Sequence, residues 1–398
     1  KPAEALKVLD EAARVSNPGF EFLISLGELY SSYGMQNPTQ REAAYTSGAA
    51  VFERAIPNKP LDPQLRLRLA DGLNMFGKPE AAAKIYQEVL KQLPDLPLLK
   101  EGVRTKLTDI YVRGKDHQHA VEQLEDIVRD DPTDAQAYYR LGSIAYSQTN
   151  YARAAEHFSK VLLLSPDAEQ PYYDLAAAQL NAEQSADALI TLEKARAKFP
   201  QKFYPEYLTG MAYNQQQNFT NALKHFTAAE IIALANNQKQ NLNESFYFQL
   251  GATSERVGDF AQAEKFFEKC LELSPNNDEA QNYLGFMLAD RGEKLEHARN
   301  LIEKALKARP DSAAYLDSMG WVLFRLNQPK EALVFLLDAV KNSEEEDATI
   351  YDHLGDVHAA LNQLDQAREA WMKSLQVEPS DAVRKKLDSA SGGEKARP

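Results

Sequence analysis

AYYRLGSIAYSQTNYARAAEHFSKVLLLSP, from Ala137 to Pro166, decides the reading of this chain. Its apolar residues recur at spacings of three and four, which keeps them on one face of a helix. The stretch reads as two amphipathic helices, with a glycine inside the first, an alanine inside the second and a proline after it. YDHLGDVHAALNQLDQAREAWMKSLQVEP, from Tyr351 to Pro379, has the same design.

Working outward, the small residue of the first helix recurs at Gly27, Ala70, Thr108, Gly142, Ala176, Gly210, Gly251, Gly285, Gly320 and Gly355. Successive steps are 43, 38, 34, 34, 34, 41, 34, 35 and 35 residues, so a fixed period runs through the chain. A second series follows in phase, at Gly48, Ala82, Ala120, Ala154, Ala188, Ala222, Ala263, Ala298, Ala332 and Ala367. Four residues after each stands a bulky side chain, among them Phe158, Phe226, Phe267 and Trp371, and a proline closes eight of the units, Pro94 and Pro166 included. Glycine inside a helix costs about 1 kcal/mol relative to alanine. Its recurrence predicts a close crossing of the two helices, with the alanine as partner and the bulky residue filling the space between hairpins.

This pattern resembles the tetratricopeptide repeat family over nearly the whole chain. The resemblance implies an all-α fold, a right-handed α-α superhelix (solenoid) of about ten helical hairpins plus an N-terminal half repeat. Complete repeats begin near Phe20, Pro63, Glu101, Ala135, Glu169, Phe203, Glu244, Asp278, Ala313 and Ala348. Residues 1–19 read as the second helix of a truncated repeat, and the natural chain is expected to extend upstream. Residues 20–236 read as six repeats, the first with an inserted loop at GMQNPTQ (Gly34–Gln40). Residues 237–243 are an inter-repeat insertion or hinge, and 244–381 hold four more repeats. Residues 382–398 read as a capping segment around VRKKL and a disordered tail, SGGEKARP.

Composition narrows the function. Of 398 residues, 44% are hydrophobic and 26% charged, which suits a folded protein, and the net charge is −13. An acidic balance argues against nucleic acid, whose phosphates are bound through Lys and Arg. No apolar stretch is long enough to span a membrane. The single cysteine, Cys270, excludes an intrachain disulfide and a cysteine-based zinc site. His117 and His119 have only Asp116 as an adjacent third ligand, and read as solvated turn histidines. His353 and His358 are badly spaced for one face, and His358 reads as a partly buried core residue. Nucleotide, zinc-protease and serine-hydrolase motifs are absent. No catalytic residue, metal or cofactor is expected.

In the family, the fifth position of each repeat faces the concave groove. By that resemblance, Tyr139, Tyr173, Tyr207 and Phe248 form a candidate peptide-binding strip, unless the rings pack against the next hairpin. Beyond them Asn282, Asp317 and Asp352 occupy the register, with Trp321 and Arg325 beside them. Asp290 and Asp356 share that face. This acidic end suits a basic or amide-rich peptide, or is simply a solvated face. Neither a lysine-based clamp for chaperone tails nor an asparagine ladder is present; the ninth register holds Ser143, Ala177 and Phe286, among others.

The leading reading is a bacterial scaffold or adaptor that binds an extended peptide or protein partner in its groove. One alternative is a structural subunit of an envelope assembly, in secretion, pilus or polysaccharide export. Another is the recruiting arm of an enzyme with an upstream catalytic domain. From about Asn282 the sequence is similar to bacterial repeat proteins, many of them exported. A periplasmic or outer-membrane-associated location is therefore expected over a cytoplasmic one.

Overall fold

Asp and Asn residues set where many of the helices start. The side chains of Asp62, Asp116, Asp134, Asn150, Asn218, Asn243, Asp259, Asn277 and Asp347 each accept a backbone N–H of the first turn. Prolines set where second helices stop. Helices end at Asp130, Leu164, Lys198, Leu273, Ala308 and Val377, two residues before Pro132, Pro166, Pro200, Pro275, Pro310 and Pro379. The computed structural model describes residues 2–93 and 96–392. Pro94 and the end of the expected tail lie outside the described residues.

Helix α1 (Pro2–Ala13) precedes ten hairpins. These are α2 (Phe20–Gln36) with α3 (Arg41–Ala55), α4 (Pro63–Met75) with α5 (Pro79–Gln92), α6 (Pro97–Arg113) with α7 (His117–Asp130), and α8 (Ala135–Ser147) with α9 (Tyr151–Leu164). Next come α10 (Gln170–Asn181) with α11 (Ser185–Lys198), α12 (Phe203–Gln215) with α13 (Phe219–Ala235), and α14 (Glu244–Arg256) with α15 (Phe260–Leu273). The last are α16 (Asp278–Arg291) with α17 (Leu295–Ala308), α18 (Ala313–Arg325) with α19 (Pro329–Asn342), and α20 (Ala348–Ala360) with α21 (Leu364–Val377). Helix α22 (Asp381–Gly392) follows. The described residues contain no strand. No helix among them is long and apolar enough to cross a membrane.

The chain divides into two compact units, 1–191 and 192–398. Within each, first helices pack on second helices and second helices on the next first helix, the arrangement of an all-α solenoid. The core of unit 1 runs from Leu23 through Phe52 and Tyr86 to Ile110, with smaller clusters around Leu124 and Phe158. In unit 2, one cluster gathers Phe203, Phe226 and Phe246, and another gathers Phe267, Ile302, Trp321 and Leu336.

The recurrent glycine is explained differently from the expectation. A Cβ on Gly142 would lie 2.7 Å from the Phe158 ring, and one on Gly251 would lie 2.9 Å from Phe267. The bulky residue therefore sits over the glycine of its own hairpin, not solely between hairpins. At Gly285 and Gly320 the carbonyl of the recurrent alanine also comes close, at 3.0 Å (Ala298) and 3.2 Å (Ala332).

In the first hairpin, extra residues become helix where a loop was expected. Gly34–Gln36 belong to α2, and a single short turn at Pro38–Gln40 leads into α3. Gly34 is buried because the Tyr45 ring lies against it. The residues around Pro97 form the first turn of α6. Helix α13 has 17 residues, against 14 in α15. The connection after it is anchored by Leu242, buried with Phe203 and Phe246.

Candidate functional site

The aromatic strip comes first because four rings were expected to be open. Tyr139 on α8 is half-buried, and its hydroxyl donates to Asp174 Oδ2 on α10 at 2.8 Å. Burial, aided by that carboxylate, pushes its phenol up to about 12. Tyr173 is only 6% exposed and donates to Glu169 Oε1 at 2.7 Å. In unit 2, Tyr207 stacks on Phe203 at 5.5 Å and touches Phe226 and Phe246. Phe248 meets Phe267 and Tyr283 edge-on, both at 5.7 Å. These rings fill seams between helices. Tyr173 is core, which corrects its assignment as an open groove anchor; the other three show solvent only part of each ring.

The acidic end is corrected too. Asp317 on α18 is 6% exposed, and both its oxygens lie on His353 Nδ1 of α20, at 2.9 and 3.1 Å. Trp321, 8% exposed, stacks on His353 with ring centres 4.0 Å apart. The guanidinium of Arg325 lies over Trp321 and donates to the Asp290 carbonyl. Burial, the largest single effect, disfavours His353 protonation, but Asp317, then Asp352 and Asp356, together hold its pKa above the ordinary value. A carboxylate inside the helix stack needs such a partner, because an unpaired buried charge is costly.

Asp352 and Asp356 are not a solvated face either. Lys386 Nζ on α22 lies 2.8 Å from Asp352 and 2.7 Å from Asp356, and Trp371 Nε1 donates to Asp356 at 3.1 Å. Burial raises the Asp356 carboxyl above its usual range, with Lys386 opposing. Of the expected residues, Asp317, Trp321 and Asp352 are thus internal partners, and Arg325 covers one of them.

Asn282 is different. It lines a cleft of about 520 Å³ in unit 2, built by the end of α14, the length of α16 and the starts of α18 and α20. Its neighbours there are Phe260, Tyr283 and Phe286, all half-buried, with Glu255 and Asp290 at one end. The Asn282 Oδ1 and Glu255 Oε2 atoms are buried and have no hydrogen-bond partner. Arg256 Nε is 3.6 Å from that Glu255 oxygen, beyond hydrogen-bond reach. Buried polar atoms are paired in the great majority of cases, so two acceptors without a hydrogen bond on side chains that line one cleft mark it out. Unit 1 has clefts of about 480, 690 and 580 Å³, but none is lined by a side chain with such an atom among the described residues.

Models described as tetratricopeptide repeat match residues 43–97 and 106–171, 145–212 and 256–322, and 348–381. The chain belongs to the tetratricopeptide repeat family. A solved C-terminal part of a tetratricopeptide repeat protein from Cytophaga hutchinsonii is 16% identical, with a TM-score of 0.50 over 66% of this chain and 98% of that one. Cut9–Hcn1 of the APC/C is 12% identical, with a TM-score of 0.47 over 99% of this chain and 86% of that one. Pseudomonas aeruginosa pilF is 18% identical, with a TM-score of 0.47 over 56% of this chain and 96% of that one. At these identities the likeness is one of fold alone. No curated protein matches the chain.

Membership of the tetratricopeptide repeat family makes the chain a protein-interaction scaffold in general terms. Cys270 is fully buried, and burial pushes its thiol up to about 11, away from the reactive thiolate. His119 caps back onto Asp116 at 2.7 Å. His358 is partly buried and bonds to Gln363 at 2.6 Å. Among the described residues no three His, Cys, Asp or Glu side chains are grouped to hold a metal.

The sequence reading weighed His353 only against His358, and it missed Lys386, Glu255 and Tyr283. Signals for His353 and Lys386 exist: His353 follows Asp317 by one repeat plus one residue, and Lys386 follows Asp352 by 34. Phe286 entered only as a departure from an asparagine ladder, although it stands four residues after Asn282 on the same helical face.

Proposed function

We propose that this protein takes an extended peptide segment of a partner protein along the first-helix face of unit 2, across α14, α16 and α18. The observation that carries this reading is the Asn282 carbonyl oxygen, buried without a partner beside Phe260, Tyr283 and Phe286. A peptide backbone supplies N–H and C=O groups in alternation, and a side-chain amide bonds to either. The rings supply contact area that costs little side-chain entropy to fix. Because the cleft crosses successive first helices, it suits an extended segment over a compact molecule.

Selection from a displayed random-peptide library on the whole chain tests this. Enriched peptides should lose at least about tenfold in affinity for Asn282→Ala and for Phe286→Ala, as interface anchors do. Peptides that bind wild type and both variants equally would move the site elsewhere.

A further inference from the structure

The charges around this cleft say which partner residue it selects. Three arginines line it, and each has a carboxylate partner. Arg291 pairs with Glu293 at 2.6 Å and covers the Phe260 ring at 4.1 Å. Arg309 pairs with Asp278 and covers the Tyr315 ring at 4.9 Å. Arg256 forms an ion pair with Glu255 Oε2 at 3.6 Å, without a hydrogen bond. Among the lining acids, Asp317 is hydrogen-bonded to His353, and Asp347 accepts the first N–H groups of α20. Glu279 and Asp290 are exposed and carry no ion pair among the described residues, and Glu255 keeps one buried oxygen unbonded. The cleft therefore presents unpaired acceptors and excess negative charge beside aromatic rings.

Resting on the peptide-binding reading above, we propose that this cleft selects a partner segment by an arginine side chain. The guanidinium fork supplies N–H donors to the exposed, unpaired Asp290 carboxylate and to Glu255 at the same end of the cleft. Its flat face lies against Tyr283 or Phe286, as cations do on aromatic rings. An acidic segment is disfavoured, because Glu255, Glu279 and Asp290 repel it.

Labelled peptides of about nine residues, made of alanine, serine and two phenylalanines, provide the probe; they differ only in a central arginine, citrulline or glutamate. Citrulline keeps the shape of arginine but has a carbonyl oxygen in place of one terminal nitrogen, so it lacks the charge and two of the five N–H donors. In fluorescence anisotropy on the whole chain, the arginine peptide should bind at least about tenfold tighter than the citrulline peptide, with glutamate weakest, since charge-assisted bonds are the stronger. Glu255→Gln should shrink the arginine preference to less than about threefold, and the exposed Asp290→Asn should reduce it without touching the core. Equal binding of arginine and citrulline peptides, lost in Phe286→Ala, overturns the charge selection but keeps the cleft as a peptide site. No binding of any of the three at millimolar concentration overturns both.

Discussion

Alanine placed at Gly285 and at Gly102 should have opposite effects, although both glycines lie inside helices. At Gly285 a Cβ would stand 2.6 Å from Ile302 Cγ1 and 3.0 Å from the Ala298 carbonyl oxygen. Ile302 is fully buried, and a β-branched side chain has few rotamers to retreat into. The carbonyl belongs to the backbone of α17 and moves only if that helix moves. Overpacking of this kind costs about 1–3 kcal/mol. The helix preference of alanine returns about 1 kcal/mol. The expected net loss is therefore about 1 kcal/mol, within a range of roughly 0–2. At Gly102, exposed in α6, a Cβ would meet nothing within 4 Å. Only the helix preference remains, a gain of about 0.5–1 kcal/mol. Urea unfolding followed by far-UV circular dichroism reads the two signs. Amide exchange in α16 and α6 localises them, since a repeat array unfolds in parts. In an Ile302→Ala background, the cost of Gly285→Ala should shrink to the part due to the Ala298 carbonyl. Stabilisation by both alanines, or a Gly285→Ala cost undiminished without Ile302, would refute the close-packing explanation.

His353 is held above its ordinary pKa by Asp317 with Asp352 and Asp356, so its contribution is complete below the unfolded value of about 6.5 and is lost as pH rises through the folded value. Melting temperatures should accordingly fall faster with rising pH in wild type than in Asp317→Asn; parallel curves between about pH 6 and 9 would exclude the linkage. Lys386→Met leaves Asp352 and Asp356 facing each other without a cation and should destabilise the last hairpin by about 1–3 kcal/mol, discounted from a fully buried pair because Lys386 is partly exposed. Amide exchange in α20 and α21 is the readout, and unchanged protection there would count against the pairing. Thr149 turns the chain between α8 and α9 at φ 59°, a region that β-branched residues disfavour. Thr149→Asn should raise stability by up to about 1 kcal/mol, and a lowered melting temperature would show that the threonine side chain is needed there.

The sequence by itself determined the helical hairpin. Spacings of three and four, a small residue facing a bulky one, Asp and Asn caps and a proline two residues past the second helix are local instructions, and each acts within one repeat of about 34 residues. It also fixed the acidic charge and the absence of recognisable catalytic motifs. What only the tertiary structure decided is which side chains on the first helices remain open. Tyr173 and Asn282 hold the same position in their repeats, yet Tyr173 is buried and hydrogen-bonded while the Asn282 oxygen is left unpaired in a cleft. Position within a repeat does not distinguish them, because exposure depends on what the neighbouring hairpin places opposite. Asp317 meets His353 and Asp352 meets Lys386, each from the next first helix. Such pairings join residues one repeat apart, and they become visible only when consecutive hairpins are stacked.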